Sequence, residues 1–126
     1  MESNGTNAGR KKGYQMEETV VICGANSYEG KYYLNPVFER LPQSVQDELK
    51  ILCVLFTHEI GGIMTLELDE DRQVQIRTKA LENDFAFDEI GSVLKAKELQ
   101  REHEELFRSL SLYYQVFAEG LTLEEE

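Results

Sequence analysis

The sequence predicts an α+β fold with the order β-β-α-β-β-α. The expected architecture is a two-layer sandwich, with a four-stranded, mostly antiparallel sheet and two helices on one face. Three observations lead there. The longest unbroken apolar run, Ile51-Leu52-Cys53-Val54-Leu55-Phe56, is flanked by helical spacing. Two segments after it alternate apolar and polar residues with a period of two. A long stripe at spacings of three to five then runs through the C-terminal third.

Thr19-Val20-Val21-Ile22-Cys23 reads as a strand with apolar residues on both faces. Gly24-Ala25-Asn26-Ser27 reads as a turn or loop. Lys31-Tyr32-Tyr33-Leu34 has aromatic strand character and is expected to pair back on the first strand. Asn35-Pro36 ends it, and Val37-Phe38 precede the first helix.

Periodicity alone cannot tell a buried helix from a buried strand in six apolar residues. The flanks decide. Val45, Leu49, Leu52 and Phe56 recur at helical spacing. Ser44 is placed to cap the helix, with Asp47 in capping-box position, and Pro42 suits an earlier start. Gly61-Gly62 supplies the stop. The helix is therefore expected from about Pro42 or Ser44 to about Ile60, buried nearly all round.

Met64, Leu66 and Leu68 share one face of the next strand, and Val74, Ile76 and Thr78 share one face of its partner. Asp69-Glu70-Asp71-Arg72 forms the turn between them. This pattern marks antiparallel strands with one buried and one wetter face. Leu81 to Phe87 is a connection whose Phe85 and Phe87 are expected to pack inward. One long helix follows, from about Asp88 to about Ala118. Its stripe runs through Ile90, Leu94, Leu99, His103, Leu106, Leu110, Tyr113 and Phe117. Gly91 weakens its first turn, so Ser92 is a candidate cap.

The 126 residues suit one domain over 16–120. Residues 1–15, with Arg10-Lys11-Lys12, form an extension expected to be disordered, and 121–126 an acidic tail. The net charge of −11 argues against broad phosphate-backbone binding, which needs clustered cations, and against anionic membranes. No apolar run approaches the roughly 20 residues of a membrane span, and a secretory leader is not expected. Cys23 and Cys53 read as reduced, buried thiols of a cytoplasmic protein.

Several stretches begin like chemical motifs and then fail. Gly24 to Lys31 resembles a phosphate loop, but five residues separate its glycines, and Tyr32 follows the lysine. His58-Glu59 and His103-Glu104 open like zinc-protease helices, yet Gly62 and Phe107 stand where the second histidine belongs. A zinc site from His58, His103 and a carboxylate needs the two helices to bring them together. Asp69 to Val74 lacks the calcium-loop glycine, and Ala80 stands in place of its glutamate. No base–nucleophile pair is recognisable, and no cofactor is expected.

Cys23-Gly24-Ala25-Asn26-Ser27-Tyr28, Lys31-Tyr32-Tyr33-Leu34-Asn35, Gly61-Gly62-Ile63 and Leu99-Gln100-Arg101-Glu102 together resemble a small bacterial family of uncharacterised cytosolic proteins, a domain of unknown function. The resemblance covers about residues 17–120. It implies a bacterial source and no mechanism.

Two functional readings follow. The first is a non-enzymatic protein-interaction module whose partner is itself or another protein; a homodimer through the sheet face or through the Leu99–Phe117 helix is expected, because one apolar side of the first strand would otherwise face water. The second is a ligand-binding protein or enzyme with a pocket between sheet and helices, walled by Asn26, Ser27, Tyr28 and Lys31.

Overall fold

A computed structural model describes residues 18–122. The expectations for residues 1–15 and for Glu124-Glu125-Glu126 lie outside the described residues. The strands are β1 (Val20–Asn26), β2 (Lys31–Leu34), β3 (Ile63–Leu68) and β4 (Val74–Lys79). The helices are α1 (Gln43–Ile60), α2 (Glu89–Glu102) and α3 (Glu104–Phe117), with a short 3₁₀ helix over Pro36–Arg40. The sheet order is β2-β1-β3-β4, and every pairing is antiparallel. The α+β class is the expected one, with the second long helix divided in two.

The core lies between one sheet face and the helices. Met64, Leu66 and Leu68 enter it from β3, and Leu49, Leu52, Cys53 and Phe56 from α1. Leu99, Phe107 and Leu110 close it from α2 and α3. A bulge in β1 explains how so apolar a strand avoids exposing half its side chains. Val21 pairs with Glu67 and Cys23 with Leu66, so Ile22 is one residue extra. Ile22 and Cys23 are both completely buried, and Val21 is left on the open face. That face is otherwise polar at its centre: Thr65 donates to Glu67 at 2.8 Å, and Arg77 lies 3.5 Å from the same carboxylate.

Four local expectations are corrected. Ser44 does not cap α1, because the helix starts at Gln43 with Pro42 in the cap position and no side-chain bond. The Gln46 amide instead donates to the Glu39 and Leu41 carbonyls and fixes the entry. Ser92 does not cap α2, because Asp88 accepts from the Gly91 N–H at 2.8 Å. A side chain at position 91 would collide with that carboxylate, which is why glycine is tolerated in the first turn. The long helix is interrupted at His103 (φ −118, ψ 31). Hydrogen bonds continue on both sides of it, so the joint is a kink and not a loop. Phe87 is partly buried beside Gly62, but Phe85 is 93% exposed.

The largest correction concerns α1. The apolar hexapeptide is helical, but only Leu52, Cys53 and Phe56 are buried. Ile51 is 57% exposed and Leu55 58%, with Val54 open as well. The sheet covers one side of α1, and α2 lies along one flank. Nothing among the described residues lies over the outer side. Ile90 and Leu94, expected in the stripe of α2, are exposed too.

Candidate functional site

Two clefts flank α1, one on each side of its exposed apolar ridge. The first lies between the β1–β2 turn and the C-terminal half of the helix. Asn26 ends β1, and its side-chain oxygen accepts from the Tyr28 and Glu29 N–H groups, which folds the turn tightly. Ser27 donates both its N–H and its hydroxyl to the Gly62 carbonyl, at 2.9 and 2.8 Å. The turn is thereby tied to the junction between α1 and β3.

The cleft so formed has a volume of about 480 Å³. Asn26, Ser27, Lys31, Tyr32, Lys50 and His58 line it. Three of the four residues singled out from the sequence thus meet here. Tyr28 does not. It turns away, donates to the Asp84 carboxylate and accepts from the Leu81 N–H at 3.1 Å. The Asp84 bond pushes its phenol pKa up, so Tyr28 is a neutral staple for the 81–84 connection.

Beneath this cleft the chemistry is quiet. The Cys23 and Cys53 sulfurs lie 3.6 Å apart as free, buried thiols. The contact with Cys23, followed by burial, pushes the Cys53 thiol pKa well up. A thiol held neutral is a poor nucleophile. Burial likewise raises the Tyr32 phenol, whose hydroxyl is enclosed without a hydrogen-bond partner of good geometry among the described residues.

The second cleft is a groove of about 920 Å³ between α1 and α2. Ile51, Leu52, Leu55, Phe56 and Leu99 give it apolar walls. Its two ends are polar. At one end His103 Nδ1 lies 3.7 Å from Glu48. At the other, Lys95 Nζ lies 3.4 Å from Glu59 and 3.7 Å from Glu98. The bond to Glu59 raises the Lys95 pKa and keeps the ammonium charged.

The two histidines are both on this groove, but not together. His103 faces Glu48, and ten residues of α1 separate Glu48 from His58, a rise of roughly 15 Å. The zinc arrangement that required them side by side is therefore not formed. Among the described residues no group of three His, Cys, Asp or Glu side chains could hold a metal ion.

The sequence reading missed Ile51, Leu55 and Lys95 as surface features. A signal for the first two was present. Six consecutive apolar residues wrap a helix completely, whereas packing on a sheet buries only one stripe.

A family model described as "Family of unknown function (DUF6145)" matches residues 19–122. No curated protein and no solved structure matches the chain.

Proposed function

The chain belongs to DUF6145, a family of unknown function, and we propose that it acts as a protein-interaction module that pairs with a second copy of itself through the groove beside α1. One observation carries this: the outer ridge of α1, with Ile51, Val54 and Leu55, is apolar and open to water. Exposed apolar area of this kind marks an interface. The open sheet face keeps Val21 and Tyr33 but is polar at its centre, so the helical ridge with its three apolar side chains is the surface favoured for pairing.

A second copy fits the pattern of the ridge. A two-fold axis level with Cys53 sets α1 antiparallel to its counterpart. Ile51 then meets Leu55, and Glu48 meets His58, in both halves of the contact. Asp47 falls opposite Glu59, a like-charge pair that Lys95 offsets in part. The separated histidines and the neutral buried thiols favour binding over catalysis.

Size-exclusion chromatography with light scattering at micromolar concentration tests the proposal. The expected mass is twice 14.5 kDa. Leu55→Glu, at an exposed position, is expected to return 14.5 kDa with an unchanged circular dichroism spectrum. A 14.5 kDa mass for the unaltered protein at every concentration refutes it.

A further inference from the structure

We propose that the cleft between the β1–β2 turn and α1 binds the phosphate group of a small phosphate monoester. This site lies on the other side of the α1 ridge from the groove and shares His58 with it, but it rests on Lys31 and Lys50, which the dimer contact does not use. It stands on the side chains the fold gathers there. The chain carries 24 acidic and 13 basic residues, so a surface cleft chosen without regard to charge would be rimmed mainly by carboxylates. This one is lined by Lys31, Lys50 and His58, with no Asp or Glu among its walls.

Among the described residues neither Lys31 nor Lys50 forms an ion pair, whereas Lys95 and Arg72 each bridge to a carboxylate. Lys50 Nζ lies 6.0 Å from the centre of the ring of Tyr32, another wall of the cleft. Asn26 spends its side-chain oxygen on the turn, so its NH₂ is the group left to donate to an incoming ligand.

The lysines come from two elements, β2 and α1, and the hydrogen bonds of Ser27 to Gly62 lock those elements in register. The backbone from which the two lysines extend is therefore fixed before an anion arrives, and only their side chains need to be ordered. Two ammonium groups and an imidazole suit a dianion better than a carboxylate. The volume of about 480 Å³ accommodates a compact organic portion beside the phosphate.

Titration of the full chain with glucose 6-phosphate, followed by amide NMR shifts and by thermal unfolding, tests this. Glucose and sodium sulfate at matched ionic strength are the comparison arms. The expected result is saturable movement of the resonances of residues 26–31 and 50–58 and a rise in Tm with the phosphate ester. Glucose is expected to be silent. Lys50→Ala is expected to weaken the affinity about tenfold, the loss of one charge-assisted contact, and Lys31→Ala to do the same. Lys97→Ala, outside the cleft, is expected to leave it unchanged. The proposal is overturned if sulfate matches the ester in shift pattern and affinity, if the ester moves no resonance in the cleft, or if the Lys31→Ala/Lys50→Ala protein binds as tightly as the parent.

Discussion

Gly61 and Gly62 both take positive φ, +89 and +76, but they do so under different constraints. Nothing lies within 4 Å of where a Cβ at position 61 would sit. At position 62 a Cβ would fall 2.6 Å from the Phe87 ring and 2.7 Å from the Lys79 carbonyl. Gly61→Ala is therefore expected to cost about 1–2 kcal/mol from backbone strain alone. Gly62→Ala adds overpacking against a backbone atom that cannot swing away, for a total of about 3 kcal/mol or more. Urea midpoints for the two variants check the order. Asp69 gives a residue-scale test in acid. Burial pushes its carboxyl pKa up, but the N–H groups of Gln73 and Asp71 and the Gln75 amide, with Arg77 nearby, pull it below the ordinary 3.8. A depressed folded-state pKa contributes stability above the unfolded value and loses it as pH falls through the folded one. Asp69→Asn is expected to destabilise the protein at neutral pH, and the gap between the two proteins is expected to narrow below about pH 4. A gap that widens in acid contradicts this sign.

At the scale of elements, α1 holds two kinds of apolar residue within one run. Phe56 is 1% exposed and belongs to the core, so Phe56→Ala is expected to cost about 3–5 kcal/mol. Ile51, one and a half turns earlier, projects outward, and Ile51→Ala is expected to change monomer stability by about 0.5 kcal/mol or less. Chemical denaturation of both variants at low protein concentration reads the contrast. The same helix shows how far the sequence could be read. Its winding and both its ends were legible, because the apolar spacing upstream and the glycine pair downstream are local signals. The buried side of the hexapeptide was legible too, since Leu52 and Phe56 continue the stripe of Val45 and Leu49; the run's unbroken apolarity masked that Ile51 and Leu55 fall outside that stripe. The strand pair β3–β4 was legible because a period of two names the buried face as well as the element. The kink at His103 carries neither proline nor glycine, the usual local causes, and so left no mark in the sequence. The cleft was partly legible. Asn26, Ser27 and Lys31 are close in sequence around one turn, but Lys50 and His58 join them only through tertiary packing.

For the whole molecule, net charge and apolar surface pull association in opposite directions. Two copies, each carrying −11, repel one another while the ridge on α1 draws them together. Salt screens the repulsion over a Debye length of about 8 Å at physiological ionic strength, and it leaves apolar burial intact. The dimer is therefore expected to tighten as salt is raised, whereas phosphate binding at the lysine-lined cleft is expected to weaken. Self-association also couples to stability by mass action, so Tm is expected to rise with protein concentration. Leu55→Glu removes the apolar contact and adds a negative charge to each copy, and its Tm is expected to be independent of both concentration and self-association. Thermal unfolding of the two proteins across a concentration series, at low and high salt, separates the contributions. If Tm is flat with concentration in the parent protein at high salt, where repulsion is least, the exposed ridge is not a self-association surface.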